Sequence, residues 1–224
     1  VRGRADRILD AAAALLLRHG YRKLTIGDIA ERAGVGKGTV YLHWRAKHEL
    51  FEALLMRESI ALVDELLDEL RADPAVIAPH RIFPRAFELT ARRPLVAALI
   101  TGDTDLLGKL ASDSNLRSYK LLANDRGYQV LVRNGLLRGD LPSVQYALQA
   151  VITGFYFYDS LDPVTGARLD QGTKSQLLAH TIQQAFECAE PGRLEPAAAE
   201  FIALMEELAD NYRKSIYSSD PGTG

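Results

Sequence analysis

Apolar residues recur at helical spacing along most of the chain, and Gly, Pro and Asp punctuate the runs. Ile8, Ala12, Leu15 and Leu16 make a stripe over residues 5–19, and Gly20 follows as a stop. Thr25 opens a second run, with Asp28 three residues on in a short form of the capping box. Ile26, Ile29, Ala30, Val35, Val40 and Trp44 then supply the apolar positions of two short helices joined by a tight turn. Ala30 is small where the second helix must approach. Gly34 stands where the first helix ends and a positive φ is expected, a conformation cheap only for glycine. This pattern predicts helices over residues 25–34 and 37–44, the geometry that lays a helix in a DNA major groove. Lys37, Thr39, Tyr41 and His43 fall between the apolar positions and carry groups suited to phosphates or base edges.

The remaining chain also reads as helices. Leu50, Phe51, Leu54, Leu55, Ile60, Val63, Leu66, Leu67 and Leu70 predict a long helix from Lys47, ended by Ala72-Asp-Pro74. Further helices are expected over 79–92 with a kink at Pro84, 94–100 behind an N1 proline, and a turn at 105–110. They continue over 116–134 with a stop at Gly135, then 143–161, 174–189 and 196–216. Residues 162–166 and 171–172 read as an irregular connector, and 218–224 as a polar tail. No strand alternation, repeat or low-complexity tract appears. The expected fold is all-α with nine or ten helices: a helix-turn-helix domain at 1–46 and a helical domain at 47–217.

Residues 147–161 are apolar nearly all round, so this helix needs cover on two sides. Residues 174–189 carry a cleaner stripe of Leu177, Leu178, Ile182, Ala185, Phe186 and Ala189. A third stripe, over 196–216, runs through Phe201, Leu204, Met205, Leu208 and Tyr212.

Charge sharpens the division. Residues 1–50 hold ten Arg and Lys against five Asp and Glu, a net of +5; residues 51–224 hold seventeen against twenty-four, a net of −7. A basic headpiece on an acidic body suits a phosphate-bearing partner. No apolar run reaches transmembrane length, so no membrane partner is expected. The single Cys188 forms no internal disulfide, and the start Val-Arg-Gly-Arg has no hydrophobic signal core, so the expected location is the cytoplasm.

The order Gly20-Tyr21, Thr25, Ile29-Ala30, Ala33-Gly34-Val35, Gly38-Thr39, Tyr41, Trp44, Lys47 and Leu50 resembles the DNA-binding domain of the TetR family of bacterial transcriptional regulators. The match covers about residues 5–55. Gly36 stands where the family often has serine, which removes a hydroxyl but leaves a tolerable N-cap. His43 stands where the family often has another aromatic. The resemblance implies base contacts from Lys37 and Thr39, with Gly38 between them, and a phosphate contact from Tyr41, with His43 a further candidate. Thr25 and Lys47 begin helices, so amides and a charge there can point at phosphates, and Thr25 equally serves as a simple cap. Lys37 suits guanine O6 or N7, and the Thr39 methyl suits a thymine methyl. The resemblance further implies a homodimer through 143–161 and 174–189, and a small-molecule effector site among the central helices. Phe83, Phe87, Leu99, Tyr128, Thr153 and Tyr156 are the candidates to line it, and they suit an uncharged, hydrophobic ligand.

Other chemistry finds little footing. His43 and His48 are badly spaced for one metal, and His80 and His180 stand apart in sequence, so no metal or cofactor is expected. Cys188 reads as a small buried hydrophobe. No Gly-x-Ser-x-Gly elbow or phosphate loop is present, so no enzyme is expected. The reading is a ligand-responsive homodimeric repressor on a palindromic operator. The alternative is an activator, or a partner-controlled DNA-binding protein without a pocket.

Overall fold

The computed structural model describes residues 3–112, 125–190 and 192–217. These hold twelve α-helices and no strand; two helices are single turns of four residues. The expected 218–224 tail and the 116–124 part of one expected helix lie outside the described residues.

The helices form two units. Within the described residues, the first comprises 3–60, 93–112 and 209–217, and the second 61–92, 125–190 and 192–208. The first unit is therefore wider than the 1–46 domain expected from the sequence.

In the first unit, α1 (Arg4–His19) packs on α2 (Ile26–Ala33) and α3 (Lys37–His43). Ile8, Leu9, Ala12, Leu16, Ile29 and Val40 interlock there and are almost fully buried. The start of α4 (Lys47–Ala72) adds Leu50, Phe51 and Leu54 to this core. A 3-10 turn at Tyr21–Lys23 links α1 to α2, and the Tyr21 ring meets Phe51 edge-on at 5.1 Å. The helices α6 (Pro94–Thr101) and α7 (Thr104–Leu107) pack against α1. Two glycines allow this approach. A Cβ on Gly20 would stand 2.9 Å from the Asp105 carbonyl, and one on Gly108 3.2 Å from the Tyr21 ring. Both have positive φ.

In the second unit, α5 (Pro79–Ala91) lies along α11 (Gln171–Phe186), and helix continues through Pro84. The helix α8 (Asp125–Arg133) is stopped by Gly135 at φ 71°, as expected. The helix α9 (Val144–Leu161) packs on α11 and on the single turn α10 (Pro163–Gly166). The last helix, α12, spans Leu194–Tyr217, and like α4 contributes residues to both units.

The expected irregular connector is more ordered than its Pro and Gly content suggested. Asp162 accepts a hydrogen bond from the Thr165 N–H at 3.1 Å and starts α10. Asp170 accepts from the Thr173 N–H at 2.7 Å, so α11 begins at Gln171 rather than Lys174. His80 does not stand alone: its Nδ1 and backbone N–H lie 2.8 and 2.6 Å from the Glu187 carboxylate. Cys188 is half-buried rather than buried.

Candidate nucleic-acid interface

The helix-turn-helix is built by local rules. The Thr25 hydroxyl accepts from the Asp28 N–H at 3.2 Å, and the Asp28 carboxylate accepts from the Thr25 N–H at 2.8 Å. Both halves of the capping box are thus present, and these bonds hold the Asp28 carboxyl below its usual range. Gly34 ends α2 in the left-handed region at φ 66° and ψ 38°. Gly36 caps α3 without a side-chain bond.

Helical geometry then sorts the side chains of α3. At about 100° per residue, Lys37, Gly38, Tyr41 and Leu42 share one arc, Thr39 sits on its border, and Val40 and His43 lie opposite. Burial follows this order. Lys37, Gly38, Tyr41 and Leu42 are exposed, Thr39 is half-buried, and Val40 and His43 are buried. Beyond the end of α3, Arg45 is exposed, and its backbone N–H donates to the Glu49 carboxylate at 2.8 Å.

Two expected contacts need correction. His43 is only 7% exposed and packs on Trp44 with ring centroids 5.4 Å apart, so it belongs to the core rather than to the groove-facing surface. Lys47 is half-buried; its Nζ donates to the Tyr21 carbonyl at 2.6 Å and sits 4.0 Å over the Tyr21 ring. Burial, followed by the charge of Lys109, lowers the Lys47 pKa. Its ammonium holds the α1–α2 connection rather than pointing outward. Conversely, reading the sequence missed Leu42 and Arg45. A strict 3.6-residue period would have found Leu42.

In the second unit, five of the six expected effector residues come together. Phe83 stacks on Tyr128 at 5.9 Å, and Phe87 meets Phe155 and Tyr156 edge-on at 6.2 and 5.1 Å. The Tyr128 hydroxyl donates to Gln149 at 2.8 Å, and Gln149 donates to Thr153 at 3.5 Å. The Tyr156 hydroxyl donates to Thr90 at 3.2 Å. Burial pushes Tyr156 up to about 12 and raises Tyr128 as well, so both phenols stay neutral. Leu99 is not part of this cluster; it is half-buried on α6 in the first unit. A surface cleft of about 760 Å³ lies between α8 and α12, and none of the six lines it. It is spanned by ion pairs, Arg126 to Glu207 and Arg133 to Glu200.

Comparison with known proteins agrees with this geometry. Residues 8–54 match the family described as bacterial regulatory proteins, tetR family. The chain is 27% identical over 163 residues to the HTH-type transcriptional regulator TtgR of Pseudomonas putida, covering 69% of this chain and 76% of that one. It is 38% identical over 55 residues to the HTH-type transcriptional repressor KstR2 of Mycobacterium tuberculosis, covering 25% of this chain and 28% of that one. A crystal structure of a tetR-family transcriptional regulator from Streptomyces coelicolor shares the fold with a TM-score of 0.53 at 19% identity, over 99% of this chain and 91% of that one. With its capped helix-turn-helix and these likenesses, the chain carries at residues 8–54 the DNA-binding domain of the TetR family of bacterial transcriptional regulators.

Proposed function

We propose that this regulator is a homodimeric repressor that binds a palindromic operator through α3 and is released by a small, uncharged, hydrophobic effector. The exposed arc of α3 carries the reading. Lys37 suits guanine O6 or N7, Gly38 lets the backbone come close, and Tyr41 reaches a phosphate. Thr39, on the border, offers its methyl, and the capped start of α2 at Thr25 presents amides to a phosphate. His43 and Lys47 are left out because both side chains are occupied within the fold.

Exposed stripes on α9 and α11 support the dimer. On α9, Ala147, Ala150, Gly154, Tyr158 and Leu161 follow one helical line, all exposed. On α11, Leu177 is 47% exposed and lies on a line with Thr181 and Gln184. Small residues beside large apolar ones suit a close helix–helix contact with a second copy. Repression is supported by the likeness to KstR2, a transcriptional repressor similar to this chain over 55 residues.

The aromatic cluster of Phe83, Phe87, Tyr128 and Tyr156, with the neutral Thr153 and Gln149, supports an uncharged effector. Its action requires that it bind the DNA-free form better than the bound form; about 1–3 kcal/mol of coupling suffices, and the coupling is reciprocal. The helices α4 and α12 are the proposed transmitters, since each contributes to both units.

Selection of bound fragments from random duplex DNA tests the reading. The expected product is a palindrome whose half-sites lie one helical turn apart, about 34–36 Å, or a multiple of it. Enrichment of no sequence would refute sequence-specific binding, and enrichment of asymmetric sites only would refute the dimeric mode.

A further inference from the structure

We infer that Leu42 is a specificity-determining contact of this regulator, packing on the 5-methyl group of a thymine in each operator half-site. The inference rests on the DNA-binding reading above. Leu42 is 62% exposed, although the other aliphatic side chain of α3, Val40, is fully buried. A lone exposed leucine is ordinary on a protein surface and by itself means nothing. Its position gives it meaning: it shares the outward arc of α3 with Lys37, Gly38 and Tyr41.

The surroundings favour a close apolar contact. Gly38 lies one turn before Leu42 on the same side, and a Cβ placed there would meet nothing within 4 Å. The bare backbone leaves the Leu42 methyls standing above their neighbour on that side. Lys37 and Arg45, both exposed, flank the patch with positive charge. A partner that is polyanionic at its rim and offers an apolar group inside a groove fits this arrangement. In the major groove of duplex DNA the apolar group on the base edges is the thymine methyl. The sequence preference contributed by Leu42 is therefore for thymine over the other three bases at one position per half-site.

The test uses the operator recovered by selection. Each thymine is replaced in turn by deoxyuridine, which removes the methyl and keeps every hydrogen-bonding group. For the unaltered protein, one position per half-site should lose about fourfold in affinity, the factor given by about 0.8 kcal/mol per buried carbon group. Substituting both half-sites should cost about fifteenfold. Leu42→Ala should bind the parent operator more weakly by a similar factor and be indifferent to deoxyuridine at that position. Because the residue is exposed, its melting temperature should match the parent's. If no deoxyuridine position weakens the unaltered protein, or if Leu42→Ala loses as much as the parent does, the proposal is overturned while DNA binding stands. Failure to select any sequence overturns the DNA-binding reading and this proposal with it.

Discussion

Two residues of α11 separate the dimer proposal from ordinary core packing. Leu177 and Phe186 are both apolar, yet Leu177 is 47% exposed and Phe186 only 6%. Phe186, Leu178 and Ile182 face the interior of their own unit. Complete burial of a leucine stabilises by about 1.5–3 kcal/mol. A partner that covers the exposed half of Leu177 therefore contributes about 1 kcal/mol, and symmetry doubles it to about 2 kcal/mol. Leu177→Ala should thus raise the dimer dissociation constant by about thirtyfold. Leu177→Glu adds the cost of desolvating two carboxylates, several kcal/mol each, and should yield monomers at any practical concentration. Its protomer should keep its helical content, because the side chain is at the surface of its own unit. Phe186→Glu should behave differently: it places the charge inside the protomer and should lower the melting temperature or prevent folding. Sedimentation across a dilution series, paired with thermal melts, distinguishes these outcomes. If Leu177→Glu sediments as a folded dimer at low micromolar concentration, the interface does not include this face of α11.

Three further outcomes follow from the headpiece. Thr25→Ala removes the hydroxyl half of the capping box and should cost about 1 kcal/mol, seen as a loss of roughly 2–4 °C in the melting transition; an unchanged melt would mean the cap is not needed. Operator affinity should fall with salt, with a slope of about −0.9 in log K per phosphate neutralised by Arg or Lys, and salt-insensitive binding would contradict the electrostatic role given to the basic headpiece. Because the folded state lowers the Asp28 pKa, its bonds stabilise the headpiece above the ordinary aspartate value of about 3.9, and this support is lost as pH falls through the lowered value. Asp28→Asn should therefore flatten the acid end of the melting profile, and an unchanged profile would assign the acid sensitivity to other carboxylates.

Much of the headpiece was legible in the sequence because its rules are local. The capping box at Thr25 and Asp28, the left-handed stop at Gly34 and the start of α4 at Lys47 depend on neighbours within a few residues. The helical stripes of the body were legible for the same reason, and so was the stop at Gly135. Asp170 as the cap of α11 was equally local, but the Pro and Gly around it drew attention away.

Facing and pairing were decided by tertiary structure. On α3 a strict helical period already sets Leu42 with Lys37 and Tyr41, and His43 with Val40; packing against α1 and α2 settles which of those sides is covered, burying His43 and leaving Leu42 in solvent. A lysine at the start of a helix invites a phosphate, but Tyr21, distant in sequence, captures the Lys47 ammonium. Leu177 and Phe186 stand nine residues apart, on opposite sides of α11, and the packing of α5 settles which side is buried. The docking of α6 and α7 beside α1 depends on two bare glycine positions, Gly20 and Gly108, that meet neighbours more than eighty residues away. Local hydrogen bonding and backbone preference act between near neighbours and can be read along the chain. Burial depends on what arrives from elsewhere, and only the folded chain brings those surfaces together.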